Sequence, residues 1–368
     1  MKLNIFLKKL ESLNRIEILK DNILFNFDFF KKTTNKDIFP VIKSNAYGHG
    51  IEEIVNILKS RKIEYLICDS YYEALRVWRI NKKQKVLIMG YNILSNLKYY
   101  NFKKIALAVY DKKTISCLGE LNKKIKIHLK IDTGMGRQGI YVSEVGEYIN
   151  LIKQYKNLEL EGACSHLADS DNIINNYTEE QYDIFKQAIN KIKELNINLK
   201  YKHLSATAGA IKINDEEINS IRLGIGLYGY NNLEEGDKYF QELENLKPAL
   251  RFITKVVSIK NIKKDKKISY NCTYVSDKDK KIGLIPVGYY EGIPRELSNK
   301  LNILGKVCMN FTIIDISNNE NIKTEDEIVL ISENKNSENS IKNIAKLSNT
   351  IPYVILVKLS ESIRRIVT

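Results

Sequence analysis

Through its first two thirds the chain alternates between short apolar runs and longer segments whose apolar residues recur at three- and four-residue steps. The short runs, read as strands, are IFPVIKS, EYLICDS, KVLIMG, KIALAVYD, KIHLKID, LEGACSH, YKHLSA and SIRLGIG. Between most of them lie stretches such as IEEIVNILKSRK, YYEALRVWRI and EEQYDIFKQAINKIKELN, whose spacing predicts amphipathic helices. Repeated strand–helix alternation predicts a parallel sheet. Eight such units in ~220 residues fit a (β/α)8 barrel of the TIM type better than an open doubly wound sheet, which is the runner-up. After about Pro248 the rhythm changes. RFITKVVSIK, KKIGLIPVGY, KLNILGKVCMNFTIIDIS and DEIVLIS read as strands, and SIKNIAKLSN is the one clear helical stretch. The expected organisation is an α/β barrel over residues 1–245 and a mostly β domain over 246–368, with no solenoid repeat and no low-complexity linker.

Composition changes this picture little. A chain of 368 residues suggests two domains on a prior of ~100–200 residues each, and 44% hydrophobic residues suffice for a real core. The net charge of +14 raises nucleic acid as a partner. Lysine is spread along the chain, however, and the densest run, KNIKKDKK (Lys260 to Lys267), has no interleaved aromatics and reads as a solvated turn between strands. No nucleic-acid partner is expected. Cys68, Cys117, Cys164, Cys272 and Cys308 lack CxxC spacing, which argues against a disulfide framework or a zinc site. Charges at Lys8, Lys9 and Glu11 break the N-terminal apolar run, and no stretch approaches the ~20 apolar residues of a membrane helix. The expectation is a cytoplasmic protein with no membrane partner and no metal.

Candidate chemistry collects where the predicted strands end, the rim on which barrel enzymes carry their active sites. Lys43 ends the first candidate strand. Lys130, Asp132 and Arg137 of KIDTGMGR end the fifth, His166 ends the sixth, Thr207 follows the seventh, and Arg222, Gly224 and Ile225 lie on the eighth. Lys43 is either the first solvated side chain after a strand or an amine placed for Schiff-base chemistry. Thr207 and the amides of RLGIG could hold a phosphate, because Gly224 allows close approach. Arg222 either pairs with a carboxylate or faces a ring nitrogen, which a guanidinium cannot protonate. By type alone His166, His49 and His203 could be satisfied core histidines, Met309 belongs in an apolar core, and Tyr270 is one of 22 tyrosines.

In order along the chain, VIKSNAYGHG, KIDTGMGRQGI, CSHLADSD, IRLGIGLYG, ISYNCTY, PVGYYEG, GKVCMN and IPYVIL resemble the bacterial alanine racemases, from about Arg15 to the C-terminus. The resemblance implies a homodimer with active sites shared between subunits, pyridoxal 5′-phosphate as cofactor and an amino acid as substrate. Lys43 would hold the cofactor as a Schiff base. Tyr47, Thr207, the amides of Gly224 and Ile225, and Tyr353 would bind its phosphate, and Arg222 would face its ring nitrogen with His166 behind. Tyr270, from the partner subunit, would be the second catalytic base beside Lys43. Arg137 and the backbone of Met309 would fix the substrate carboxylate, a carbamylated Lys130 would steady Arg137, and Tyr289 would line the entrance. Lysine amines and tyrosine phenols ordinarily titrate near ~10, so bases of these types need lowered pKa values to act near neutrality. An unprotonated ring nitrogen would shorten the life of the carbanion and limit stray transamination. The implied function is interconversion of L- and D-alanine, supplying peptidoglycan.

Ala206-Thr207 stands where this family commonly has Asn-Ser, and Asn310 where Asp is common; Gly226 and Asn271 also depart from frequent choices. These departures keep open a racemase preferring serine or another amino acid. A non-catalytic pyridoxal-phosphate-binding protein is a further alternative, against which the second domain with Tyr270 argues. A decarboxylase of similar architecture would carry a GESGR-type loop, which this sequence lacks.

Overall fold

The computed structural model describes residues 10–174, 176–319 and 321–368. Lys8 and Lys9 lie outside the described residues. Two compact units form, one from Asp21–Ala46 and Ile54–Lys247, the other from the described residues up to Lys20 with Tyr47–Glu53 and Pro248–Thr368.

Strand β1 (Arg15–Ile18) belongs to the second unit. The next eight build the first: β2 (Asp37–Pro40), β3 (Tyr65–Cys68), β4 (Lys85–Ile88), β5 (Ile105–Val109), β6 (Ile125–Lys130), β7 (Leu158–Cys164), β8 (Tyr201–His203) and β9 (Ser220–Leu223). Strands β3 to β8 lie in chain order in one parallel sheet, and β9 pairs with β2, also in parallel. Backbone bonds join the two pieces at both edges: Ile42 N–H donates to Ile67 O at 2.9 Å, and Arg222 N–H donates to Ser205 O at 3.0 Å. The result is the expected (β/α)8 barrel. Each of the eight apolar runs read as a strand overlaps one.

Helices Tyr71–Ile80, Lys112–Gly119, Val145–Lys153 and Tyr177–Glu194 follow β3, β5, β6 and β7. The longest shows why these segments are helical. Glu179 and Glu180 open it and Lys191 and Lys193 close it, matching the helix dipole. Its buried residues Gln181, Phe185, Ala188, Ile189 and Ile192 fall at helical spacing on one face.

Barrel interiors are usually filled by branched aliphatic side chains. Here rings occupy the middle. Phe39 meets Tyr65, Tyr201 and His203 edge-on, with centroids 5.7, 5.1 and 5.7 Å away. His128 stacks on Tyr201 at 6.0 Å and lies 5.0 Å from His203.

In the second unit, β10 (Leu250–Lys255), β11 (Ser258–Ile262), β12 (Lys267–Ile268), β13 (Tyr274–Val275), β14 (Lys280–Ile285), β15 (Thr312–Asp315), β16 (Glu327–Ile331) and β17 (Arg364–Val367) follow in sequence. They form a four-stranded sheet in the order β16-β10-β1-β17, a three-stranded sheet β11-β14-β15 and the hairpin β12-β13. All pairs are antiparallel except β1 with β17.

Three local readings change. The run KLNILGKVCMNFTIIDIS is mostly irregular, because Leu301, Asn302 and Gly305 take φ of 49°, 62° and 76° and turn the chain. A second helix, Pro352–Val357, follows Ile341–Leu347; its proline stands at the helix start, where the missing N–H is not needed. Within KNIKKDKK, the first three residues extend β11 and the turn begins only afterwards.

Candidate active site

Lys43 opens a turn in which Ser44, Asn45, Ala46 and Tyr47 have φ of 54°, 53°, 52° and 51°. These are left-handed residues, none of them glycine, and the conformation costs ~1–2 kcal/mol for each. Specific contacts hold it. Ser44 N–H donates to Glu73 Oε1 at 2.6 Å, while Glu73 Oε2 accepts from Asp69 N–H at 2.8 Å. Arg76 Nη2 donates to Asn45 Oδ1 at 2.8 Å. Burial pushes the Glu73 carboxyl up in pKa, and the amide donors act against that.

Four cations converge on the barrel rim: Lys43, Lys130, Arg137 and Arg222. Their effect registers on His166, whose pKa falls to about 3, first through burial and then through Arg222, Arg137, Lys130 and Lys43. Burial likewise lowers Lys130, with Arg222, Arg137 and Lys43 adding to it. Lys130 Nζ donates to Gln138 Oε1 at 2.7 Å, and Gln138 Nε2 donates to the Tyr110 hydroxyl at 3.0 Å, so the direct partner of Lys130 is Gln138 and not Arg137. Among the described residues neither the Lys43 amine nor the Arg137 guanidinium has a hydrogen-bond or ion-pair partner.

Arg222 is buried. Its Nη1 donates to His203 O at 2.7 Å and lies 2.8 Å from His203 Nδ1. Its Nη2 donates to Ser165 O at 2.6 Å and Leu204 O at 2.9 Å, and lies 3.3 Å from His166 Nδ1. The structure thus brings Arg222 and His166 together.

Two short helices start after β8 and β9, at Thr207–Lys212 and Ile225–Tyr228, and neither N-cap residue bonds its helix through a side chain. Apart from Gly226 N–H, their opening amides remain donors for a ligand. Thr207 Oγ1 accepts from Gly226 N–H at 2.9 Å, which leaves the hydroxyl hydrogen to be donated. Glycine is required at 226: an added Cβ would stand 2.7 Å from Thr207 Cγ2 and 2.8 Å from the Phe30 ring.

The remaining candidates lie in the second unit. Tyr47 and Tyr353 bring their ring centroids to 5.9 Å. Gly48 lets this segment run against the Pro352–Val357 helix, since a Cβ there would meet Leu356 O at 2.0 Å. Tyr270 sits at the tip of the β12-β13 hairpin, between Ser269 and Asn271 at φ of 68° and 59°. Ser269 anchors that tip, accepting from Lys306 N–H at 2.8 Å and donating to Lys306 O at 3.2 Å. Tyr289 N–H donates to Cys308 O at 2.9 Å and Tyr290 N–H to Met309 O at 3.0 Å, so Tyr289 and Met309 lie on adjoining turns. Tyr289 also stacks with Arg295, 5.8 Å from its ring centroid. No group of His, Cys, Asp or Glu among the described residues could hold a metal ion.

Sequence reasoning missed Glu73, Arg76, Gln138, His128 and Glu161. His128 had a usable signal, since Lys126, His128 and Lys130 alternate along β6 and share one face of a strand.

Residues 18–232 match the family model for the alanine racemase N-terminal domain, and residues 249–367 match that for the C-terminal domain. The chain belongs to the alanine racemase family. It is 35% identical to the alanine racemase of Borreliella burgdorferi, over 97% of this chain and 98% of that protein. It is 32% identical to alanine racemase 2 of Caldanaerobacter subterraneus subsp. tengcongensis, over 96% and 94%. Among solved structures, an alanine racemase from Clostridium difficile 630 superposes with a TM-score of 0.89 at 29% identity, covering 98% of this chain and 97% of that one. Alanine racemases are isomerases, and this member is an enzyme of that class.

Proposed function

We propose that the protein interconverts L-alanine and D-alanine with pyridoxal 5′-phosphate held on Lys43, using Lys43 and Tyr270 as bases on opposite faces of the substrate. The observation that carries this reading is the barrel rim. An unpartnered amine, three further cations, the Thr207 hydroxyl and the open amides after β8 and β9 make a donor set fit for an anionic, phosphate-bearing aldehyde. When bound, that cofactor supplies an electron sink that acidifies the Cα–H of an amino acid.

The residues then divide the work. Thr207 and the amides of Gly224 and Ile225 bind the phosphate, with the Tyr47 and Tyr353 hydroxyls. Arg222 faces the ring nitrogen and, being a permanent donor, cannot give it a proton. Arg137 and the Met309 amide hold the substrate carboxylate, and Tyr289 lines the entrance. The Lys43 amine and the Tyr270 phenol hold and move the Cα proton, one on each face. Burial keeps more of Lys130 in the uncharged form that attacks carbon dioxide; the N–C bond forms, a proton leaves, and the carbamate faces Arg137.

We infer a homodimer in which Tyr270 serves the barrel of the partner. Tyr270 is 67% exposed and Met309 56%, with Tyr290 and Phe311 also exposed, an apolar set suited to cover by a second copy. The proposed division is residues 1–245 for cofactor binding and 246–368 for the domain bearing Tyr270. From the family we also infer a cytoplasmic enzyme whose D-alanine feeds peptidoglycan; no helix among the described residues is long and apolar enough to cross a membrane.

Chiral chromatography of L-alanine, L-serine and L-lysine, each incubated with protein and cofactor, tests this. D-alanine should form fastest, and Lys43→Ala and Tyr270→Phe should each abolish its formation. Faster racemisation of serine or lysine would replace the substrate and direct attention to Ala206 and Asn310. No racemisation with cofactor still bound would leave a binding protein.

A further inference from the structure

The groups that hold Arg222 continue inward, away from the rim. His203 Nδ1 faces Arg222 Nη1 at 2.8 Å, and His203 Nε2 faces His128 Nδ1 at 2.8 Å. His128 Nε2 faces Glu161 Oε2 at 3.4 Å. The same Oε2 accepts from the Tyr65 hydroxyl at 2.7 Å, and Oε1 accepts from the Lys126 ammonium. Both imidazoles and the carboxylate are buried, whereas Lys126 reaches solvent on the far side.

Donor and acceptor capacity fixes the direction of every bond. A guanidinium only donates, so His203 Nδ1 accepts and its hydrogen sits on Nε2. That hydrogen points at His128 Nδ1, which must therefore accept, placing the His128 hydrogen on Nε2 towards Glu161. Glu161 takes three donors and is the anion at the end of the chain. Burial alone would raise its pKa, but His128, Lys126 and Tyr65 together bring it down to about 2. Burial keeps both imidazoles uncharged.

We propose that His203, His128 and Glu161 form a one-directional hydrogen-bond relay that positions Arg222, with Glu161 as the terminus that keeps His203 an acceptor. The importance of holding Arg222 rests on the reading that it faces the cofactor ring. A carboxylate bonded to Arg222 itself would bring a second acceptor to the rim. The relay places the countercharge two rings away, and the guanidinium keeps its orientation. His128 and Glu161 are thus positioning residues for a reaction they do not touch.

Only a carboxylate satisfies both ends of this chain. In Glu161→Gln the single oxygen can face Lys126, turning the NH2 towards His128 and reversing the relay. Otherwise it faces His128 and sets the NH2 against an ammonium. Reversal would put an N–H of His203 against the N–H of Arg222.

The test is 15N spectroscopy of the full chain labelled at histidine, with and without pyridoxal phosphate. Four histidines are present, and His128→Asn and His203→Asn assign the two signals. The parent protein should show both in the neutral Nε2–H form through the neutral pH range. In Glu161→Gln the His203 signal should become a mixture of tautomers, and the absorption of bound cofactor should gain a pH dependence that the parent lacks. Adding Lys126→Met removes the competing donor and should return His203 to the parental tautomer.

A parental His203 that is Nδ1–H or doubly protonated overturns the relay without any variant. So does a Glu161→Gln protein with the parental His203 signal and cofactor spectrum, in which the backbone carbonyls alone would hold Arg222. Failure of the double variant to restore the tautomer also counts against it. The expected tautomers in a protein that binds no cofactor would support the relay and refute the proposed function.

Discussion

Asn310 donates its side-chain amide to Glu291 Oε1 at 3.0 Å, and Glu291 Oε2 accepts from Gly288 N–H at 2.8 Å. The residue that departs from the family's common Asp is therefore a needed donor beside a buried acid. Asn310→Asp should remove the donor, set two carboxylates together and cost about 1 kcal/mol at neutral pH. Urea denaturation of parent and variant at neutral pH checks this, and an unchanged midpoint would show that the donor is not needed. From the sequence, Asn310 could be read only as a missing charge at an entrance, because Glu291 is not its neighbour in the chain. The same limit applied to His203. Its burial was legible; its bond to Arg222 required knowing which strands adjoin. Lys43, Arg222 and His166 were legible because strand ends share a rim whatever the details of closure.

The left-handed turn after Lys43 is an element that sequence pattern did not reveal, since only the asparagine in Ser-Asn-Ala-Tyr hints at positive φ. Ser44 is exposed, and its hydrogen bond to Glu73 is made through the backbone. Ser44→Gly should relieve ~1–2 kcal/mol of strain while losing ~0.5–1 kcal/mol to chain entropy, a net gain of about 0.5 kcal/mol. Thermal melting reads the gain, and slower racemisation would accompany it if the turn's stiffness holds Lys43 in place. The hairpin bearing Tyr270 depends on a different glycine. A Cβ at Gly305 would stand 2.3 Å from Ser269 Cβ, at a φ of 76°. Gly305→Ala should cost about 2–3 kcal/mol and reduce activity beyond the loss of folded protein. Activity per folded molecule unchanged from the parent would show that the hairpin does not need its anchor. The barrel strands were easier to read than this region, because a strand buried on both faces is a nearly unbroken apolar run. In the second domain apolar residues also line irregular turns, so the same signal overpredicted strand.

At the scale of the whole molecule, His128, His166 and His203 all have pKa values lowered from 6.5 in the folded state. The unfolded chain binds these protons at higher pH than the folded one. Their contribution is complete above about 6.5 and is lost as the pH falls, at about 1.4 kcal/mol per pH unit for each group left neutral. Glu161 adds a second loss below its ordinary value of 4.5 and towards about 2. Denaturation midpoints across this range should begin to fall while the carboxylates are still ionised, and a flat profile down to pH ~5 would contradict the assignment. The sheet order β16-β10-β1-β17 has a separate consequence, for the order in which the protein is made. A ribosome that has released Lys247 has delivered every residue of the barrel unit, yet β1, made earlier, still has neither neighbour. Ile16 and Ile18, fully buried in the finished protein, remain exposed until Phe252, Arg365 and their strands emerge. A nascent chain of this enzyme thus holds out an early apolar strand for most of its synthesis, a ready grip for a ribosome-associated chaperone.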